Sequence, residues 1–187
     1  FCSTLDSHRS PNSALVSATK PQASIAVEVE NDSKKLKLGI EINKESANRF
    51  SLNGNLLRRS SEILGVLTTV IFSPEDIDLV RRDPSTRRSF LNELGIQLRP
   101  AFYQTLQDYE RVLKQRNALL KSARGKSNID ISTLELWDDK LVQLGSEIIQ
   151  NRQTLVEALL PRVSEKYDQI SKTQAQLKIQ QVSSIGI

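Results

Sequence analysis

The chain has 187 residues, with 26 lysines and arginines against 22 acidic residues and a formal net charge of +4. This length can bury one sizeable core, and the modest positive excess suits an anionic partner without identifying one. The one cysteine, Cys2, excludes an internal disulfide framework and indicates a reducing, cytoplasmic compartment; with a single histidine it leaves no plausible zinc site. No apolar run is long enough to span a membrane, so no membrane association is expected.

Alternation of apolar and polar residues predicts two antiparallel strands near the start of the chain. The pattern begins at Ser24 and resumes after a turn at Asn31-Asp32-Ser33. A period of two residues places one side of each strand against a core. The apolar positions are Ile25, Val27, Val29, Leu36, Leu38, Ile40 and Ile42.

Three shorter elements follow and make the first part of the chain β-rich. The run Arg49 to Leu52 predicts a third strand that ends at Asn53-Gly54, a dipeptide suited to positive φ in a tight turn. A brief helical turn is indicated by Ser60-Ser61-Glu62. The apolar run Val66 to Phe72 predicts a buried strand that stops at Ser73-Pro74.

The second half of the chain has the pattern of helices. Asp83 and Pro84 suit the cap and first position of a helix whose apolar face holds Phe90, Leu91 and Leu94. Near-heptad stripes then predict two longer helices, Leu98 to Lys121 and Thr133 to Leu159, separated by a polar turn over 125–130.

These two helices are predicted to pair as an antiparallel hairpin, with Trp137 buried near its tip. Asn151 is the polar member of the second stripe, and Leu159-Leu160-Pro161 is expected to disturb the near-heptad spacing. The stripes are Leu98, Phe102, Leu106, Leu113 and Leu120, and Leu134, Trp137, Leu141, Leu144, Ile148 and Leu155. Alternation at Ala175, Leu177 and Ile179 predicts a final strand.

Two short motifs favour ordinary structural roles over chemistry. Gly125-Lys126-Ser127 is similar to the end of a phosphate-binding loop, but Leu120 stands where that loop needs another glycine. We therefore interpret Gly125 as the residue that ends a helix. His8 lies beside Asp6 and Ser7, and adjacent residues rarely supply the separate orientations of a hydrolytic triad.

Two groups of basic residues are candidates for phosphate contact. Arg81, Arg82 and Arg88 flank the helix start and have no obvious local partner, whereas Arg87 is spaced to pair with Asp83. The second group is a basic band opposite the apolar stripe, formed by Arg111, Lys114 and Lys121. An ordinary solvated helix face explains this band at least as well as DNA contact does.

Several runs of residues closely resemble the RecF family of bacterial recombination proteins. They are Ile71-Phe72-Ser73-Pro74-Glu75-Asp76, Arg87-Arg88-Ser89-Phe90-Leu91, Gln97-Leu98-Arg99-Pro100 and the run from Tyr109 to Lys121. Similar residues also stand at Ser7-His8-Arg9, Leu52-Asn53-Gly54 and Trp137-Asp138.

The resemblance implies an α+β fold, in which antiparallel strands of an ABC/SMC-like ATPase head carry an inserted antiparallel helical hairpin arm. On this resemblance residues 1–82 form a partial β-rich head and residues 83–172 form the arm. Residues 173–187 form a strand that returns to the head.

The resemblance also implies which functional parts the chain holds. Because the sequence starts at Phe1 and contains no methionine, we expect the middle of a longer protein, with the phosphate-binding loop and signature motif outside it. Arg9, Glu75 and Asp76 would then lie near the nucleotide. ATP and Mg²⁺ would bind the intact protein, a weak DNA-dependent ATPase, whereas this chain alone would bind no cofactor, hold no catalytic or metal-binding residue and be inactive.

The family's role implies a DNA-binding recombination mediator of gap repair and the SOS response. The expected partners are double-stranded DNA and single-strand gap junctions, recombination proteins such as RecR, and a second copy in an ATP-dependent homodimer, all in the nucleoid-associated cytoplasm. The alternative is a helical protein–protein interaction module without direct DNA contact. Salt dependence separates the two, because phosphate contacts weaken steeply with salt and apolar docking does not.

Overall fold

The computed structural model describes residue 5 and residues 11–31, 34–124, 131–171 and 177–182. The chain divides into two compact units, Phe1–Pro100 and Ala101–Ile187. The first unit holds an antiparallel sheet and two helices, and the second holds two long paired helices. The predicted α+β fold class is confirmed. Within the described residues, no helix combines the length and apolar character that a membrane span requires.

The first unit is built on a four-stranded sheet in the order β1-β2-β3-β4, and all neighbouring strands are antiparallel. The strands are β1 (Gln22–Asn31), β2 (Lys34–Asn43), β3 (Arg49–Leu52) and β4 (Asn55–Leu56). The predicted first hairpin is confirmed, and its register places Ile25 opposite Ile40. The turn between β3 and β4 has positive φ at Asn53 (51°) and Gly54 (83°), as the sequence predicts.

The core of this unit lies on one face of the sheet. Alternate residues of β2 from Leu38 to Ile42 are buried, because a strand points every second side chain to the same face. Short 3-10 helices over Asn12–Leu15 and Ser60–Ile63 flank this core, and the second occupies the predicted helical turn. The buried cluster is Val16, Leu38, Ile40, Ile42, Phe50 and Ile63.

The predicted buried strand over Val66 to Phe72 is wrong for this structure. No residue of this run belongs to a strand, and Val70 and Phe72 are 95% and 92% exposed. The backbone N–H of Thr69 instead donates a hydrogen bond to Oε1 of Gln97 at 3.1 Å. A buried strand needs neighbours along its edges, and among the described residues no strand pairs with this run.

Two helices complete the first unit after a 3-10 helix over Pro74–Ile77. They are α1 (Asp78–Arg81) and α2 (Pro84–Leu98). Asp83 caps α2 as predicted. The predicted apolar face is only partly right, because Phe90 is exposed while Gly95 and Ile96 are the buried residues of the helix.

The second unit consists of α3 (Phe102–Ser122) and α4 (Ile131–Ile170). The sequence predicts one helix from Leu98 onward; instead Leu98 ends α2 and is 65% exposed, so it is not part of the seam. The predicted end of the second helix at Leu159 is also wrong, because α4 continues through Pro161 to Ile170.

The two helices pair antiparallel, as predicted. Thr105 donates a hydrogen bond to Glu147 at 3.0 Å, and Arg116 pairs with Asp138. The residue numbers of the partners on α4 therefore decrease as those on α3 increase. Val112, rather than the predicted Leu113, is a buried residue of α3. Ile148 and Leu155 are buried on α4 as predicted, whereas Trp137 is only partly buried.

Several predicted features lie outside the described residues. These are Asp32 and Ser33 of the first turn and the polar turn over 125–130, including Gly125. Residues 177–182 carry no regular secondary structure, so the returning strand stays a prediction, as do the domain boundaries after residues 82 and 172.

We expect Ile148→Ala to destabilise the hairpin by roughly 2 to 5 kcal/mol, the usual cost of removing a buried isoleucine side chain from a packed core. Urea unfolding followed by circular dichroism measures the loss. The matched control is Val142→Ala, which removes a β-branched side chain that is 69% exposed on the same helix. Equal losses for the two variants would contradict the burial of Ile148.

Candidate nucleic-acid interface

The corner between α1 and α2 holds the first group of predicted phosphate-binding arginines. Its geometry starts from Asp83, whose Oδ1 accepts a hydrogen bond from the backbone N–H of Ser85 at 2.9 Å. Hydrogen bonds from the hydroxyl and N–H of Ser85 lower the pKa of Asp83, with a smaller attraction from Arg88. A carboxylate therefore already occupies the N-terminus of α2, and an external anion must be held by side chains instead.

Arg87 closes this corner through the backbone rather than through the predicted pairing with Asp83. Its Nη1 donates hydrogen bonds to the carbonyl oxygens of Leu79 at 3.3 Å and Arg82 at 2.8 Å. Carbonyls at the end of a helix lack internal partners, and a guanidinium satisfies them well. Arg87 thus holds the end of α1 against the start of α2.

Arg82 has a local partner, which corrects the expectation from sequence. Its Nε lies 2.8 Å from Oδ2 of Asp78, one helical turn earlier. Side chains at this spacing are neighbours on a helix surface. The Arg82 side chain is still 68% exposed, so its charge is partly neutralised but accessible.

Arg81 and Arg88 are the two arginines of this corner that remain available. Both are exposed, and neither forms an ion pair or hydrogen bond with the part of the chain that the structure describes. Guanidinium groups in this state can bind a phosphate without first giving up an internal bond.

The predicted nucleotide-proximal residues are seen only in part. Oδ2 of Asp76 accepts hydrogen bonds from the N–H and hydroxyl of Ser73 at 2.7 and 3.3 Å, which closes the 3-10 turn over Pro74–Ile77. Arg9 and the side chain of Glu75 lie outside the described residues. The described residues contain no cluster of three acidic, histidine or cysteine side chains that could hold a metal ion.

The predicted basic band on α3 is exposed but not uniform. Arg111 pairs with Asp108 at 2.9 Å, whereas Lys114 and Lys121 form no ion pair with any described residue. Arg116, on the same helix, turns toward the seam, and its hydrogen bond to Asp138 raises the pKa of the guanidinium. Two lysines therefore remain free on this face.

A groove between α3 and α4 is a feature that sequence reasoning missed. It has a volume of about 400 Å³ and combines apolar side chains with two cations. The spacing of Trp137 and Lys140, one turn apart on α4, is the only local signal for it. Its lining is Asp108, Arg111, Val112, Gln115, Leu136, Trp137, Lys140 and Leu144.

We expect low pH to reduce the stability of the wild-type chain more than that of the variant Asp83→Asn. The folded-state pKa of Asp83 is depressed below its unfolded value of about 4, so its stabilisation is present above that pH and is lost as the pH falls through the folded pKa. Asparagine caps a helix equally well and does not titrate. Thermal unfolding from pH 7 down to about pH 2 measures the difference. Identical pH profiles for the two proteins would exclude this role of Asp83.

Curated relatives resemble this chain along most of its length. The DNA replication and repair protein RecF of Clavibacter sepedonicus is 42% identical over 170 residues, which cover 89% of this chain and 41% of the relative. That of Cutibacterium acnes is 42% identical over 179 residues, covering 91% and 45%. The protein of Renibacterium salmoninarum is 38% identical over 193 residues, covering 99% and 48%. The chain therefore spans less than half of these relatives. No family model matches it.

Solved structures agree in fold. The recombination mediator protein RecF-ATPrS in the RecFOR pathway superposes with a TM-score of 0.83 at 31% identity, covering 91% of this chain and 46% of that one. The RecF-ATP structure gives a TM-score of 0.81 at 31% identity, with 87% and 44% covered. Sequence and fold together confirm the resemblance predicted above, and the chain corresponds to part of a RecF-type protein.

Proposed function

We propose that this chain is the DNA-contacting part of a RecF-type recombination mediator that acts in gap repair and the SOS response. The observation that carries the proposal is the α1–α2 corner, where Arg81 and Arg88 are exposed and have no ion-pair partner among the described residues. The relatives that resemble this chain are named as DNA replication and repair proteins, which supports a nucleic-acid ligand.

The corner suits phosphate contact because its backbone is held by internal bonds. Arg87 holds the end of α1, and Asp83 caps α2, so the neighbouring guanidinium groups project from a supported turn. Support of this kind lowers the conformational entropy lost when a ligand binds. Arg82 contributes less, because part of its charge is used by Asp78. Contacts of this type position a protein on DNA without reading its sequence.

The basic band on α3 extends the proposal to the second unit. Lys114 and Lys121 are exposed and have no ion-pair partner among the described residues, and Arg111 could exchange Asp108 for a phosphate. Each such contact releases counterions and makes affinity depend on salt. We propose these three residues as a secondary contact surface for double-stranded DNA or a gap junction.

We extend the proposal to the full-length protein through its solved neighbours. These are RecF-ATP and RecF-ATPrS in the RecFOR pathway. We propose that the full-length protein binds ATP with Mg²⁺ near Arg9, Glu75 and Asp76, works with recombination proteins such as RecR, and forms an ATP-dependent homodimer in the cytoplasm. In this proposal Asp76 acts from the 3-10 turn that its own carboxylate closes.

We expect the double variant Arg81→Ala/Arg88→Ala to bind double-stranded DNA more weakly and with a flatter salt dependence. The loss of two phosphate contacts should reduce the slope of log affinity against log salt by about 1.8. Fluorescence anisotropy of a labelled duplex at several salt concentrations measures both quantities, and circular dichroism verifies that the helices persist.

The matched control is Arg162→Ala, which removes one exposed arginine from the last part of α4. This variant should leave the salt slope nearly unchanged. If the double variant keeps both the wild-type affinity and the wild-type slope, the corner does not contact DNA. The same experiment on Lys114→Ala/Lys121→Ala then decides whether the band on α3 is the DNA surface.

We also expect the chain alone to show no ATP hydrolysis above a protein-free reaction. Phosphoryl transfer requires groups that surround the γ-phosphate and its metal ion, and the described residues contain no cluster of three acidic, histidine or cysteine side chains that could hold that ion. Release of inorganic phosphate, with and without duplex DNA, measures this. Turnover that disappears in Lys126→Ala would contradict the prediction and assign a catalytic phosphate loop to Gly125-Lys126-Ser127.

A further inference from the structure

The groove between α3 and α4 is mostly apolar, although it lies on the surface of a charged hairpin. Its walls include Val112, Trp137 and Leu144, and Leu136 stands at its rim with 61% of its surface exposed. Contact between water and such an apolar lining is unfavourable, so covering the lining with apolar atoms lowers the free energy. The volume of about 400 Å³ admits one or two large side chains rather than an extended surface.

The charged residues of the groove favour an anionic occupant. Arg111 and Lys140 contribute the two cations, and Asp108 contributes the one carboxylate. That carboxylate is already engaged, by Arg111 at 2.9 Å and by the side-chain amide of Gln104 at 3.0 Å. Lys140 forms no ion pair with any described residue, so one full positive charge at the rim is uncompensated.

We propose that this groove binds a short acidic peptide segment of a partner protein, with a leucine or aromatic side chain inserted beside Trp137 and a carboxylate on Lys140. An apolar anchor in a pocket with a charged rim is the usual arrangement of a peptide-binding hot spot. The Gln115 side chain lies at the same rim and can bond to the backbone of an extended peptide.

Other occupants fit the groove less well. A nucleic-acid strand is held by several cations along its backbone, whereas the lining of this groove holds only Arg111 and Lys140. A second copy of the hairpin would present helix faces that carry both charge signs, and it would offer no excess of carboxylates to Lys140.

The test uses the fluorescence of Trp137, which is the only tryptophan in the whole chain. The probe is a synthetic peptide of several aspartates followed by leucine and phenylalanine. We expect a saturable change in emission, because insertion of an apolar side chain alters the surroundings of the indole ring. The double variant Arg111→Glu/Lys140→Glu should weaken binding by about tenfold.

Matched controls separate the groove from general electrostatic attraction. Lys114→Glu reverses an exposed charge on α3 outside the groove and should change the affinity by no more than about twofold. A peptide in which serines replace the leucine and phenylalanine should not bind. Circular dichroism of each variant verifies that the helices are intact.

Three results would overturn the proposal. The first is an unchanged emission with the acidic peptide, or an affinity that Arg111→Glu/Lys140→Glu leaves at the wild-type value. The second is a saturable change with an oligothymidylate and none with the peptide, which would assign the groove to single-stranded DNA. The third is an emission change that follows protein concentration together with dimer formation in sedimentation, which would assign it to a second copy.

Discussion

The bond between Arg116 and Asp138 sets the register of α3 against α4, and both surfaces of the hairpin follow from it. Arg116 and Asp138 are 28% and 45% exposed, so their pairing favours this alignment of the two helices without the cost of burying a charge. Placing this pair together brings Tyr109 beside Gly145 and Thr105 beside Glu147, farther along the same antiparallel seam. The same register aligns Val112 and Trp137 along one groove, while Lys114 and Lys121 remain exposed.

Asn151 extends this argument to the other end of the seam. Its Oδ1 atom is buried and accepts no hydrogen bond in the described part of the chain. A buried polar atom without a partner lowers stability, and a polar residue at one seam position is a device that limits the registers a helix pair can adopt. The sequence predicts this residue as the polar member of the stripe, and the structure places it there. Polar groups at both ends of the seam therefore contribute to one alignment.

The α1–α2 corner shows how local bonds decide which charges can serve a ligand. Four arginines surround the start of α2, and sequence spacing alone suggests that most of them are free. Arg87 and Arg82 are used by a pair of carbonyls and by Asp78, respectively. Arg81 and Arg88 form no ion pair or hydrogen bond with the described part of the chain. The bonds of the first two hold the turn from which the second two project.

Local signals predicted those elements whose structure depends on nearby residues. Asn53-Gly54 forms its turn because both residues tolerate positive φ, and Asp83 caps α2 because its carboxylate reaches the next N–H groups. The run Val66 to Phe72 was harder, because an apolar β-branched sequence becomes a strand only where a free sheet edge receives it. The helix ends were also hard to predict, because α2 ends at Leu98 within a continuous apolar stripe and α4 continues through Pro161 to Ile170.

The candidate sites were predictable to a smaller degree for a related reason. A basic residue is visible in a sequence, but whether its charge is free depends on a partner such as Asp78 or Asp108 being in the correct rotamer. The groove could not be predicted from the sequence, because its walls come from two helices and depend on how Arg116 and Asp138 align them. Heptad positions located part of the seam, but they placed Leu113 where Val112 is buried, and Val112 is a wall of the groove.

The corner and the groove rely on different physical terms, and this difference constrains any ligand that uses them. Exposed guanidinium groups such as Arg81 attract anions over roughly 10 Å at about 0.1 M salt, and this range shortens as the salt concentration rises. Burial of an apolar side chain against Trp137 is short-ranged and nearly independent of salt. A partner with phosphates would therefore be released from the corner at salt concentrations at which an apolar anchor would stay in the groove. Ionic strength can thus separate the two kinds of contact within one chain, and a complex that resists high salt must draw its affinity from apolar surface such as Trp137 and Leu136.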